Sequence, residues 1–103
     1  MHPLIRRHRT AIDALCRDYH VRRLDLFGSA ARGDDFDLKR SDVDFLVEFD
    51  RTQIRPTLST FFELRDKLAS AIGRPVDLVM AGSIRNPYIQ AEIECSRESV
   101  YAS

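Results

Sequence analysis

At 103 residues, with 44% hydrophobic and 31% charged side chains, the chain has the balance of one ordinary globular domain, large enough for one core and one sheet and needing no disulfide or metal staple. It shows no apolar run of membrane-spanning length and no apolar stretch of a signal peptide behind its first residues, so a cytoplasmic domain over 1–103 with no membrane contact is expected. Its 16 basic and 16 acidic groups cancel overall, but residues 24–50 hold eight acids against three bases, and such a middle repels phosphate unless divalent cations intervene, which speaks against direct nucleic-acid binding.

Residues 4–19 place Ile5, Ile12, Leu15, Cys16 and Tyr19 at helical spacing, which predicts an amphipathic first helix with the Arg6-Arg7-His8-Arg9 run as a solvated face. Arg22 to Phe27 alternates into a short strand, and Gly28-Ser29 supplies the small residues of a tight turn into a brief helix. Gly33 to Arg40 is a polar loop containing Asp34, Asp35 and Asp37. It lacks the glycine and terminal Glu of a calcium loop and is read as solvated.

The next strand runs from Asp42 to Phe49, with Val43, Phe45, Val47 and Phe49 on one face and Asp42, Asp44, Leu46 and Glu48 on the other. After a connector from Arg51 to Pro56, Leu58, Phe61, Phe62, Leu68, Ala69 and Ile72 form the apolar stripe of a helix that Gly73 ends. Pro75 to Met80 is a strand whose Val76, Leu78 and Met80 are apolar, leaving Asp77 on the opposite side. Asn86 as N-cap and Pro87 as first residue open a last helix through Ile89 and Ile93 toward Val100. The expected fold is α/β, in the order α-β-α-β-α-β-α.

Two carboxylates at i and i+2 on a strand point the same way, so Asp42 and Asp44 can share one Mg²⁺. If the strand bearing Asp77 lies alongside, the three acids can surround a pair of cations. Such a pair could hold a triphosphate and stabilise both the attacking and the leaving oxygen of an in-line displacement at the α-phosphorus. Asp77 is then the natural base for an acceptor hydroxyl. Gly28 lets the backbone approach a phosphate, and Ser29 offers a hydroxyl and N–H groups at a helix start, although a plain N-cap would look the same. Arg32 either contacts the outer phosphates or pairs with a neighbouring acid.

Glu48 shares the Asp42 face but lies too far along the strand for the same cation, and reads as a rim charge. His2, His8 and His20 show no ligand spacing. Cys16 and Cys95 have no Cys-x-x-Cys spacing and read as reduced thiols, while Tyr88 and Tyr101 read as packing or interface residues.

Gly28-Ser29-Ala30-Ala31-Arg32-Gly33, then Ser41-Asp42-Val43-Asp44-Phe45-Leu46-Val47-Glu48-Phe49, then Arg74-Pro75-Val76-Asp77-Leu78-Val79 together resemble the minimal nucleotidyltransferases (MNT) of the DNA polymerase β superfamily. The resemblance covers nearly the whole chain and departs only in a slightly longer acidic loop between Ser29 and Asp42. It implies a mixed sheet flanked by helices, triphosphate binding at Gly28 and Ser29, and Mg²⁺ binding at Asp42 and Asp44 with Asp77 as third acid. It also implies a role frequent in that family, an antitoxin paired with a HEPN ribonuclease toxin, which some members neutralise by transferring AMP from ATP to a toxin tyrosine. An antitoxin acting by binding alone and a transferase for a small molecule are the other readings, and a homo-oligomer is left open.

Overall fold

The apolar spacing of residues 4–19 is realised as two helices rather than one. In the computed structural model, which describes residues 3–28, 42–53, 55–83 and 85–102, α1 (Pro3–Arg7) and α2 (Arg9–Asp18) are separated at His8. The break leaves Ile5, Ile12 and Cys16 fully buried on one side, so the stripe survives the change of axis. The chain continues through β1 (Val21–Phe27), β2 (Val43–Phe49), α3 (Leu58–Ile72), β3 (Val76–Met80), α4 (Pro87–Ser96) and β4 (Glu98–Ala102).

The four strands form one mixed sheet in the order β3-β2-β1-β4. β1 is antiparallel to β2 and to β4, while β2 and β3 are parallel. A parallel pair needs a crossover, and α3 provides it. The helix is bounded by a Thr57 side chain that accepts from the Thr60 N–H and by Gly73, whose left-handed φ of +70° suits only glycine without strain.

Helices α1, α2 and α3 cover one face of the sheet, where Leu24, Leu26, Val43, Phe45 and Val47 meet Ile12, Cys16, Leu64 and Leu68. Helix α4 covers part of the other face, where Leu46 and Ile93 are buried outside that cluster. Leu68→Ala, in the middle of the helical layer, is expected to cost about 2–5 kcal/mol. Urea unfolding should show this as a lower midpoint with an unchanged slope.

Two further expectations are corrected. The last helix does not run on toward Val100; it stops at Ser96, and Glu98–Ala102 pairs with β1. A strand edge carries unpaired N–H and C=O groups, and the segment satisfies those of β1 while burying Val100 completely. On α3, Leu58 and Phe62 are 74% and 43% exposed, and the buried stripe is Leu64, Leu68 and Ile72 with Phe61 packed against it. One helix face cannot hold both Phe61 and Phe62, and the Arg65 guanidinium lies 4.8 Å above the Phe62 ring instead.

Candidate active site

Strand register brings three side chains of the second face into one row. Phe27 stands opposite Asp44, and Asp44 stands opposite Asp77, with adjacent strands about 4.8 Å apart. Because Val43, Phe45 and Val47 are fully buried in the core, alternation turns Asp44 the other way, where it is half-buried. Asp77 is exposed on the outer strand β3, and Asp42 is exposed one residue before β2.

These acids act on one another. Burial, and then the charges of Asp77, Asp42 and Glu92 in that order, push the Asp44 carboxyl from its ordinary 3.8 up to about 6. Glu92 comes from α4 and has no counterpart among the residues singled out from sequence. Its field reaches Asp44 only because the helix folds back over the sheet.

Gly28 follows β1 directly, with a φ of +73°. A Cβ built there would lie 2.5 Å from Oδ2 of Asp44, so a side chain is excluded by the backbone conformation and by the carboxylate together. The Gly28 N–H donates to Oγ of Ser96 at 3.1 Å, and that hydroxyl donates to the Glu92 carbonyl at 3.0 Å. The turn therefore presses against Asp44 on one side and is tied to α4 on the other.

One strand position before Leu26, Asp25 is 1% exposed on the same sheet face. Arg97 donates to its Oδ2 through Nε at 2.8 Å and also through Nη2, and Arg23 donates to Oδ1 at 3.1 Å. Arg97→Ala would leave a buried carboxylate with Arg23 as its remaining ion-pair partner among the described residues, and a loss of about 3–5 kcal/mol is expected in denaturant unfolding. Neither Asp25 nor Arg97 carries a spacing signal. Strand parity could have placed Asp25 on this face, but its partner comes from a residue 72 positions later.

Ser29 and Arg32, with the acidic loop positions Asp34, Asp35 and Asp37, lie outside the described residues. Glu48 is exposed on the expected face, about 13 Å along the strand from Asp44, which keeps it from sharing an ion with the pair. A cavity of about 330 Å³ opens between it and α4, lined by Leu46, Gln90, Ile93, Glu94 and Arg97 among others, adjacent to the carboxylate row. A larger hollow of about 450 Å³ sits at the far end of β2 around Asp50 and Thr52. Of the residues that line it, Glu48 lies on the carboxylate face, about 13 Å along the strand from Asp44. Tyr101 packs against the core, whereas Tyr88 is 85% exposed.

The donor set matches a hard divalent cation, being all carboxylate oxygen with an excess of negative charge that lifts Asp44. Among the described residues no group of three or more His, Cys, Asp or Glu side chains forms a ready metal cage.

A four-stranded mixed sheet that sets an Asp-x-Asp strand between a glycine turn and a third aspartate is the architecture of a minimal nucleotidyltransferase. The chain belongs to the nucleotidyltransferase domain family, whose model matches residues 8–100, and so to that class of enzyme. It is 41% identical over 91 residues to the Methanocaldococcus jannaschii protein MJ0128, provisionally named a protein adenylyltransferase, covering 88% of this chain and 85% of the relative. Protein adenylyltransferase MntA of Thermococcus cleftensis is 37% identical over 83 residues, covering 81% and 76%. Among solved structures, one provisionally described as a minimal nucleotidyltransferase superposes with a TM-score of 0.74 at 29% identity, over 95% of both chains. A chain in the crystal structure of a toxin-antitoxin with AMP-PNP gives 0.70 at 26% identity, over 92% of this chain and 73% of that one.

Proposed function

We propose that the protein transfers AMP from ATP to a hydroxyl of a partner protein, a tyrosine of a HEPN-type toxin, and acts as the antitoxin of that pair. The observation that carries the reading is the packing of Asp44 between the bare Cα of Gly28 and the neighbouring Asp77. The same acids then serve the turn that meets phosphate and the strand that meets the acceptor. Relatives named as protein adenylyltransferases and a toxin-antitoxin structure with a nucleotide analogue support it.

Asp42 and Asp44, with Asp77 alongside, are the residues that would hold Mg²⁺, two ions in the full site, and the metal would supply charge neutralisation for the triphosphate and a more acidic acceptor hydroxyl. Asp77, exposed at the sheet's outer strand, takes the acceptor's proton as the hydroxyl oxygen bonds to the α-phosphorus. The bond from that phosphorus to the β-phosphate oxygen breaks, and pyrophosphate leaves. Gly28 keeps the turn close to Asp44 so that phosphate and carboxylates share one short span.

ATP labelled at the α-phosphorus, incubated with Mg²⁺, the protein and its co-purified partner, is expected to label the partner on tyrosine. The Asp42→Asn, Asp44→Asn double variant should give no label. Equal labelling by the double variant would overturn the assignment, and toxin neutralisation that persists without labelling would favour inhibition by binding alone.

A further inference from the structure

Helix α4 is held to the sheet by little apolar surface. Across Pro87–Ser96, all described, Ile93 is the buried residue, and Tyr88 and Ile89 are exposed. Among the described residues, two polar attachments fasten its C-terminal end, Ser96 to Gly28 and Arg97 to Asp25. Asp25 lies on β1 and Gly28 directly follows that strand, three residues on, next to the row that contains Asp44.

The Ser96 attachment has a defined polarity. A hydroxyl has one proton and two lone pairs. The proton is committed to the Glu92 carbonyl one helical turn back, so a lone pair faces the Gly28 N–H. Gly28 in turn has no free space toward Asp44, since the site of a Cβ lies 2.5 Å from Oδ2. A shift of the Ser96 oxygen therefore moves the wall against which the Asp44 carboxylate rests.

We propose that Ser96 is a positioning residue for nucleotidyl transfer: its hydroxyl holds the left-handed turn at Gly28 against Asp44 and thereby couples α4 to the nucleotide site. The role rests on the transfer function proposed above. The Gly28 N–H is consumed in this arrangement, so Gly28 contributes close approach rather than a donor to the phosphates. The chain end of α4 becomes part of what sets the geometry of the acids, although Ser96 itself touches no reacting atom.

Three proteins test this: wild type, Ser96→Ala and Ser96→Thr, each titrated with Mg-ATP by calorimetry and followed at the Gly28 amide by hydrogen exchange. Loss of one hydrogen bond to the turn is expected to weaken Mg-ATP binding by Ser96→Ala about 3- to 10-fold. The Gly28 amide should exchange faster, and Ser96→Thr should restore both values to within about twofold of wild type because it keeps the hydroxyl. A merely structural role would lower the melting temperature while leaving the affinity of the folded protein unchanged. Unchanged affinity in Ser96→Ala, or failure of Ser96→Thr to restore it, overturns the positioning role and leaves the transfer function standing. A wild type that binds no Mg-ATP overturns the transfer function, and this role with it.

Discussion

Asp44→Asn is expected to reduce nucleotidyl transfer by at least about 10³-fold while making the metal-free protein more stable at pH 7. The loss follows from the proposed role, in which the variant removes a charge from the acids that would hold Mg²⁺ against the triphosphate, an electrostatic contribution of several kcal/mol. The gain follows from the position of Asp44, half-buried and facing Asp77, Asp42 and Glu92, which raises its carboxyl to about 6. An acid whose native pKa exceeds its unfolded value holds its proton more tightly when folded, so stability declines as pH rises from about 4 to 6 and stays reduced above that. Asparagine removes the penalty.

The advantage of the variant should accordingly be absent near pH 4, grow up to pH 6 and level off. At its plateau a rise of about 4 °C or more in melting temperature is expected, the change that roughly 1 kcal/mol produces in a domain of this size. Thermal melts in EDTA across that range, paired with single-turnover transfer assays at pH 7.5, measure both sides. A variant that keeps a tenth of the wild-type rate, or one that is less stable at every pH, would remove Asp44 from the role assigned to it. A site that gives up stability to keep like charges together is the usual compromise between activity and folding.

Gly28→Ala should be the other severe change, lowering transfer by about 100-fold, in keeping with the sensitivity of phosphoryl chemistry to misplacement on the order of 1 Å. Alanine would be strained at the φ of +73° and would drive its Cβ into Asp44. Gly73→Ala is the matched control. Gly73 has nearly the same φ, +70°, but a Cβ added there would meet nothing within 4 Å, so alanine costs about 1 kcal/mol of stability and no activity. Equal losses of activity in the two variants would attribute the Gly28 effect to backbone strain alone.

Much of the site could be read from strand parity. The alternation of Val43, Phe45 and Val47 with Asp42, Asp44 and Leu46 needs no partner to be interpreted, because the period of a strand is two and one face must be apolar. The same reasoning set Asp77 opposite Leu78, and the parallel register then placed it beside Asp44. The helical stripe of α3 was less legible. Leu58, Phe61 and Phe62 are all apolar, and hydrophobicity does not state which of them the sheet will cover.

The sequence by itself determined the class of fold, the faces of β2 and β3 that carry Asp42, Asp44 and Asp77, and the caps at Asn86 and Gly73, since these follow from periodicity and from residues only a few positions apart. Tertiary structure decided what depends on long-range closure: that residues 98–102 complete the sheet as β4, that Glu92 adds its charge to Asp44, and that Ser96 and Arg97 reach Gly28 and Asp25 across 68 and 72 residues. Hydrogen bonds and charges act through distance in space. Only the folded chain sets that distance for groups so far apart in sequence.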